Sequence, residues 1–198
     1  RKSSKPMKKP RRKNARVATG KRRNKTRTRN KTPTQNPTDN LLNPDKHGEM
    51  KKSVIYTIGH SNHEPEAFAE LLLHFGIDCL VDVRSTPASG RFPQFNKAEL
   101  SDFLKSKGIR YLHFGKEFGA RHTDPALLDD DGKVDFEKVR QTANFQNGVE
   151  RLRAGLEKGF TISLMCSEAE PFDCHRFSMI SGFLEQCEFE INHILRDK

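Results

Sequence analysis

The chain has 198 residues, of which 33% are hydrophobic, and it carries a formal net charge of +10 at pH 7. It contains no run of about 20 apolar residues, so we expect no membrane span. The first 40 residues lack the apolar segment of a secretory signal. No disulfide-scaffold spacing relates the four cysteines, which favours a reduced, cytoplasmic setting; they are Cys79, Cys166, Cys174 and Cys187.

The positive charge belongs to one end of the chain. Residues 1–49 hold 17 Lys/Arg and 3 Asp/Glu, a net charge of +14, whereas residues 50–198 carry −4. Such a segment buries too little apolar surface to offset its conformational entropy, which predicts a disordered basic tail and linker over 1–49. The tail would bind nucleic acid through its phosphates. Equally, Met50-Lys51-Lys52 has the form of a start site, which would place 1–49 outside the native protein.

Strand-like and helix-like patterns alternate from Ser53 onward. Short runs rich in β-branched and other apolar residues predict strands at 54–58, 79–83, 111–114 and 160–165. Helical spacing predicts helices from Pro65 to Gly76, from Asn96 to Gly108, over 136–158 and after Cys174. Asn96 and Glu99 have the spacing of a capping box, and 189–195 completes the chain. Residues 116–132 have no pattern, which favours a surface loop over a lid.

Alternation of this kind is typical of an α/β fold. We expect a three-layer domain over residues 50–198, with a mostly parallel sheet and helices on both faces. About 149 residues suffice for one such domain and are too few for two.

Polar side chains follow the predicted strands. His60 and Ser61 follow the first, Asp82 and Arg84 end the second, and Cys166 and Glu168 follow the fourth; His113 lies in the third. The carboxyl ends of parallel strands share one edge of a sheet, where ligands bind. We therefore expect these residues to converge, with Cys174, His175 and Arg176 opening a helix above them.

Three motifs carry a resemblance to a known family: Thr57-Ile58-Gly59-His60-Ser61, Asp82-Val83-Arg84 with Pro87 and Ser89, and Cys166-x-Glu168-x-x-Pro171-x-x-Cys174-His175-Arg176. They resemble the motifs of the domain-of-unknown-function family numbered 488. Residues 115–121 are similar to that family's Glu-Leu-Gly-Gly stretch, although Phe118 and Ala120 replace the usual Leu and second Gly. The resemblance covers roughly 54–194 and implies the fold more firmly than any reaction.

Nucleophilic catalysis is one chemistry that the residues allow. Cys174 stands near a helix start, whose dipole favours the thiolate, and Arg176 acts in the same direction. Adjacent side chains on a helix do not face each other, so we expect the base to be His60 or His113 rather than His175. The alternative is that both cysteines of the motif are packing residues.

A metal site is the second chemistry. Cys166, Glu168, Cys174 and His175 are admissible zinc ligands, but the Cys-x7-Cys-His spacing is unusual for zinc. From spacing alone we expect no metal, and the sequence identifies no cofactor.

Anion binding is the third chemistry. Arg84, Arg176 and the helix start suit a phosphate or carboxylate. Asp82 and Glu168 would orient the two arginines or act as general acid and base; purely structural salt bridges are the equal alternative.

The leading interpretation is an enzyme acting on a phosphorylated or nucleotide-type substrate. Its expected catalytic residues are Asp82, Cys166, Glu168, Cys174 and His175. Its expected substrate-binding residues are His60, Ser61, Arg84 and Arg176. The alternatives are a non-catalytic nucleotide or nucleic-acid binding module and a cysteine-based metal or redox sensor.

Overall fold

The computed structural model describes residues 53–187 and 189–195, so the predicted tail and linker lie outside the described part. The described strands are β1 Ser53–Gly59, β2 Cys79–Asp82, β3 Arg110–His113, β4 Ile162–Cys166 and β5 Phe189–Ile194. The described α-helices are α1 Pro65–His74, α2 Lys97–Ser106, α3 Gly115–Phe118, α4 Phe136–Arg140, α5 Ala143–Glu157 and α6 Gly182–Gln186. Two 3-10 turns, Pro93–Phe95 and Pro125–Leu127, and a π-helix, Arg176–Ser181, complete them. None of these helices combines the length and apolar character that a membrane crossing requires.

The five described strands form one sheet in the order β3-β2-β4-β1-β5, and every neighbouring pair is parallel. In the register, Gly59 lies beside Cys166 and Asp82 lies beside Met165. The carboxyl ends of β1, β2 and β4 therefore meet at one edge, as the sequence predicted.

Helices cover both faces of this sheet, which confirms the three-layer α/β prediction. α1 and α2 pack on one face, where Phe68 and Leu100 meet Leu80 of β2. The helices that follow β3 and β4 pack on the other face, with Phe145 and Leu184 against it. The strands are buried on both sides, so their sequences read as continuous apolar runs.

The two sets of connections run in opposite directions across the sheet. The chain moves from β1 to β2 to β3 through α1 and α2, and it returns from β3 to β4 to β5 through helices on the opposite face. Crossover connections between parallel strands are right-handed. The connecting helices must therefore move to the opposite face of the sheet when the chain reverses its direction across the sheet. β4 is consequently flanked by two strands, β1 and β2, whose connections leave on the face opposite to its own.

Two local predictions about helices are wrong. The stretch 136–158 is two helices, because Thr142 begins α5 and its hydroxyl accepts a hydrogen bond from the Phe145 N–H. Asn96 does begin α2, but its Oδ1 accepts from the Ser89 N–H at 2.7 Å instead of from the helix. The capping box is therefore not formed, and Asn96 anchors the loop after β2.

The segment 116–132 has more structure than its patternless sequence suggested. α3 forms at its start, and the side chain of Phe118 is fully buried between the neighbouring helices. A 3-10 turn and an isolated bridge between Leu128 and Val134 follow. The rest is a surface loop, as the sequence favoured.

Candidate functional site

Four reactive side chains gather where β4 ends. We call Cys166, Glu168, Cys174 and His175 the thiol cluster. Cys166 is the last residue of β4, and the chain then turns through residues 167–175 before the π-helix begins. Hydrogen bonds to the carbonyl of Cys174, from the N–H groups of Phe177 and Ser178, fix the turn to that helix. The turn brings Cys174 close to Cys166, which lies eight positions earlier in the chain.

His175 faces both sulfur atoms. Its Nδ1 lies 3.6 Å from Cys166 Sγ and 3.8 Å from Cys174 Sγ. The expectation that His175 would not face Cys174 is wrong, because Cys174 lies in the turn before the helix. Nε2 of His175 lies 3.2 Å from the Val83 carbonyl oxygen. A carbonyl only accepts, so the neutral ring carries its proton on Nε2 and directs the Nδ1 lone pair at the sulfurs.

Glu168 completes the cluster. Its Oε2 lies 2.8 Å from Cys166 Sγ and 3.1 Å from Cys174 Sγ, and both thiols donate to it. Burial raises the pKa of Glu168, but hydrogen bonds from the two thiols outweigh burial and lower the pKa overall. Glu168 is therefore ionised near neutral pH.

Cys166 and His175 both have raised pKa values. The hydrogen bond with Cys174, together with burial, raises the pKa of Cys166 far above that of a free thiol. Burial lowers the pKa of His175, but its contact with Cys166 and the Val83 carbonyl raise it overall. A raised pKa disfavours Cys166 as a nucleophile, because the thiolate is the reactive form.

A second polar group lies beside the cluster, at the end of β2. Arg84 donates to Asp82 from Nε at 2.9 Å and from Nη2 at 2.6 Å, and Tyr111 donates to Asp82 Oδ2 at 2.7 Å. Burial lowers the pKa of Arg84, but the Asp82 carboxylate raises it overall. Burial and Asp82 both raise the pKa of Tyr111.

Hydrogen bonds within the protein occupy most of the donor groups of the Arg84 side chain. Its Nη2 also donates to the Phe95 carbonyl at 2.8 Å, and its Nη1 lies 3.2 Å from Nε2 of His60. Asp82 is fully buried behind it. The geometry therefore favours the structural salt bridge, one of the two interpretations that the sequence allowed for Asp82.

His60 is held within the same group. Its ring stacks on Phe95 with centroids 4.3 Å apart. Burial, and secondly Arg84, lower the pKa of His60 to about 4. His60 is therefore neutral near pH 7, and it contacts Arg84 rather than either thiol of the cluster. His113, the other predicted base, has its Nε2 2.8 Å from the carbonyl oxygen of Arg84.

Arg176 is fully buried at the start of the π-helix. Its Nη2 donates to the Ala169 carbonyl at 3.0 Å, whereas Nε and Nη1 have no hydrogen-bond partner within the described residues. Burial lowers its pKa. The side chain thereby connects the start of the π-helix to the turn after β4.

Two cavities open on either side of the turn after β4. The first, of about 290 Å³, is lined by Arg84, Ser85, Thr86, Ala88, Ala120, Arg121, Cys166, Ser167, Glu168 and His175. The second, of about 490 Å³, is lined by His60, Ser61, Asn62, Ala88, Ser89, Arg91, Phe92, Ser167, Glu168 and Ala169. Open α/β sheets bind ligands where neighbouring connections leave on opposite faces, and β4 has such a neighbour on each side.

The predicted residues are thus divided among three environments. Cys166, Glu168, His175 and Arg84 line the first cavity, and His60, Ser61 and Glu168 line the second. Cys174, Asp82 and Arg176 are buried behind these walls. Ser61 has a φ of 44°, a left-handed conformation that is uncommon for serine, and its N–H donates to the Ser167 carbonyl.

Sequence reasoning missed Arg121 and Tyr111. Arg121 lines the first cavity, and its backbone N–H donates to Ser85 Oγ at 2.9 Å. The sequence signal for Arg121 was its position as the last residue of 115–121, the segment that is similar to a family motif. Tyr111 was assigned only to a strand, yet β3 pairs with β2 and brings its hydroxyl to Asp82.

The chain matches a protein-family model. A family model described as "Domain of unknown function DUF488" matches residues 64–183, more than half of the chain. The matched range runs from the residue before α1 into α6 and contains the whole thiol cluster. No curated protein and no solved structure matches the chain.

Proposed function

Since the chain belongs to the DUF488 family, whose description states no reaction, we propose a function from its site. The proposed function is an enzyme that binds a small phosphorylated or nucleotide-type substrate over the two cavities and uses Glu168 as its general base. One observation carries the proposal: Glu168 lines both cavities while its Oε2 contacts two thiols.

The cavities suit a ligand of this class in size and charge. The second cavity, of about 490 Å³, falls in the range of small-molecule and cofactor sites, and the first, of about 290 Å³, lies at the lower limit of that range. Arg121 at the first cavity and Arg91 at the second are exposed, and arginine binds phosphate in a bidentate manner. Arg121 is further positioned by its backbone contact with Ser85. We propose Arg121 as the anion contact, in place of the paired Arg84 and the buried Arg176.

The chemistry that these residues support is proton transfer. Glu168 is ionised near neutral pH because its pKa is lowered, and its exposed side chain can reach a ligand. It would accept a proton from a bound hydroxyl or water, as a general base does. His175, whose pKa is raised, would hold a proton beside the same cavity. Covalent catalysis by Cys166 is disfavoured by its raised pKa.

Two further expectations belong to this proposal. A reducing, cytoplasmic setting would keep Cys166 and Cys174 as thiols, the form in which they donate to Glu168. Residues 1–49, with a net charge of +14, would add salt-sensitive binding to nucleic acid, which the domain at −4 would not supply.

Titration calorimetry of the full chain with nucleoside monophosphates and inorganic phosphate tests the proposal. Arg121→Ala should weaken binding about tenfold or more, because a charge-assisted contact is lost. Lys116→Ala removes the same charge from an exposed residue outside both cavities, and it should leave the affinity within about twofold.

Turnover of the bound compounds, followed by chromatography, separates enzyme from binding module. Glu168→Gln should retain binding and abolish turnover, because an amide cannot accept the proton. Binding by the wild type without turnover of any compound would support the binding module instead. Absence of binding at millimolar concentrations would overturn the proposal.

A further inference from the structure

We propose that Cys166, Cys174 and His175 form a binding site for one divalent transition-metal ion, with zinc as the ion that fits best. This reverses the expectation that spacing alone produced. The site does not depend on the substrate proposed above, and its occupancy is measured without any substrate.

The distances between donor atoms match a tetrahedral ion. The two sulfurs and Nδ1 of His175 all lie within 4.8 Å of one another. Zinc bonds of about 2.3 Å to sulfur and 2.0–2.1 Å to nitrogen, at a tetrahedral angle, separate the two donor atoms by about 3.6 Å. The observed separations from Nδ1 are 3.6 Å to Cys166 Sγ and 3.8 Å to Cys174 Sγ. Binding would therefore need little movement of Nδ1 relative to the two sulfurs.

The remaining nitrogen of the imidazole has the partner that a metal ligand requires. A histidine that binds a metal normally donates its other N–H to a carboxylate, a carbonyl or water, which fixes the tautomer and orients the ring. Nε2 of His175 lies 3.2 Å from the Val83 carbonyl oxygen, at the end of β2. Nδ1 is thus left to bind the ion between the two sulfurs.

Charge balance around the cluster favours the metal-bound state. Arg176 is fully buried, and its Nε and Nη1 have no hydrogen-bond partner within the described residues. A buried cation without a countercharge is costly. Its backbone N–H already contacts Cys174 Sγ at 3.4 Å. Two metal-bound thiolates and Glu168 exceed the charge of a divalent ion by one negative charge, which the guanidinium would balance.

The spacing rules for zinc do not cover this proposed site, because the turn that carries it is irregular. Cys174 and His175 are adjacent, yet both reach one point because Cys174 precedes the helix and His175 begins it. Cys166 arrives from the end of a strand. Such a site has a strand-to-helix turn as its scaffold, which the spacing rules for zinc fingers and ribbons do not describe.

Three protein ligands leave one coordination position for a ligand from the first cavity, which Cys166 and His175 line. Two thiolates, one imidazole and an open position make up one of the donor sets of catalytic zinc. Glu168 lies against both sulfurs but outside the group of three. Zinc-dependent nucleobase deaminases likewise place a non-ligand glutamate beside such a donor set as their acid and base. A metal here would supply Lewis-acid chemistry to the cavity.

Metal binding must displace the thiol protons. Each sulfur loses one proton as it becomes a thiolate ligand, so up to two protons leave the thiols per ion bound. The apparent affinity should therefore rise with pH. Proton release in weakly buffered solution reports this exchange directly.

Titration of the reduced, chelator-treated full chain with Co²⁺, followed by zinc competition, tests the site. We expect one ion per chain, thiolate-to-cobalt absorption in the near ultraviolet and displacement by zinc. Cys166→Ser and Cys174→Ser should each weaken binding about 100-fold or more, since loss of a ligand exceeds loss of its supporting contact. Cys187→Ser removes a half-buried thiol outside the cluster and should leave binding unchanged.

A second measurement covers the case in which a ligand variant fails to fold. In the wild-type chain, zinc should protect Cys166 and Cys174 from alkylation, read by peptide mass spectrometry, and should leave Cys187 unprotected. No stoichiometric binding by the folded, reduced wild type at micromolar metal would overturn the proposal. Equal loss of binding in Cys187→Ser would do the same. Metal binding without nucleotide binding would overturn only the enzyme proposal.

Discussion

Gly59 lies where the motif after β1 meets the turn after β4. A methyl group at this position would overlap the carbonyl oxygen of Glu168 and would stand 3.0 Å from the Cα of Ala169. Both contacts are with backbone, which cannot rotate away as a flexible side chain can. The glycine of the Gly-His-Ser motif is therefore required for the close approach of Glu168, the proposed general base.

Gly59→Ala should accordingly destabilise the domain by about 3 kcal/mol, the upper end of the cost of overpacking, and should weaken cobalt binding because the turn moves. Thermal unfolding and cobalt titration measure the two effects. Gly90→Ala is the matched control, since nothing lies within 4 Å of the added methyl group. A Gly59→Ala protein with wild-type stability would show that the turn has another conformation.

The sequence predicted which residues would lie near the site, but not the contacts that each of them makes. Polar residues after apolar strands were expected to converge, and Cys166, Glu168 and His175 do line one cavity. The roles of the two arginines depend on partners distant in sequence. Arg84 donates to Asp82 and to the Phe95 carbonyl, and Arg176 donates to the Ala169 carbonyl in a turn whose path no local pattern encodes.

At the scale of elements, the break between α4 and α5 depends on one hydroxyl. Thr142 Oγ1 donates to the Val139 carbonyl at 2.7 Å and accepts from the Phe145 N–H at 3.2 Å. It therefore ends one helix and begins the next. The apolar spacing of 136–158 continues through both helices, which is why periodicity predicted a single helix.

Thr142→Ala should lower the free energy of unfolding by about 1–2 kcal/mol, as for other lost N-caps. Thr142→Ser retains the hydroxyl and should remain close to wild type. Urea unfolding followed by circular dichroism measures the difference. Equal stability of the alanine and serine variants would mean that the helix break is set by packing and not by the cap.

The strands were the most predictable elements, and the turns were the least. Strand sequences are buried on both faces, so their apolar runs identify them directly. Asn96 has the residue type of a cap, but the neighbouring loop offers its side chain the Ser89 N–H instead. The π-helix after His175 likewise follows from how the turn after β4 docks. In both places tertiary contacts override local propensity.

The stability of the whole domain should depend on pH through three of its histidines. His60 has a folded-state pKa of about 4, against 6.5 for a free histidine side chain. Between these values the unfolded chain binds the proton more strongly, so stability falls as pH decreases from about 6.5 toward 4. His193, whose pKa is lowered by burial and by Arg176, contributes in the same direction. His175, with a raised pKa, acts oppositely as pH rises above 6.5.

Urea unfolding of the wild type and His60→Gln at pH 7, 6 and 5 isolates the contribution of His60. The variant should be less stable at pH 7, because it loses the stack on Phe95 and the contact with Arg84. Its stability should also decrease less between pH 7 and 5. Parallel pH profiles for the two proteins would contradict a neutral buried His60.

The strand order has a consequence for how the chain acquires this site during synthesis. β1 is the first described strand to leave the ribosome, yet both of its neighbours, β4 and β5, come from the last part of the chain. β2 and β3 can pair early, whereas β1 waits for residues 162–194. Pairings between such distant segments form slowly, and unpaired strand edges are exposed meanwhile.

Insertion of β4 joins the two halves of the sheet and brings Cys166 and Glu168 into place in the same event. A chain truncated before β4 would therefore have an incomplete sheet and would be open to proteolysis. The thiol cluster would form only in chains that have finished folding.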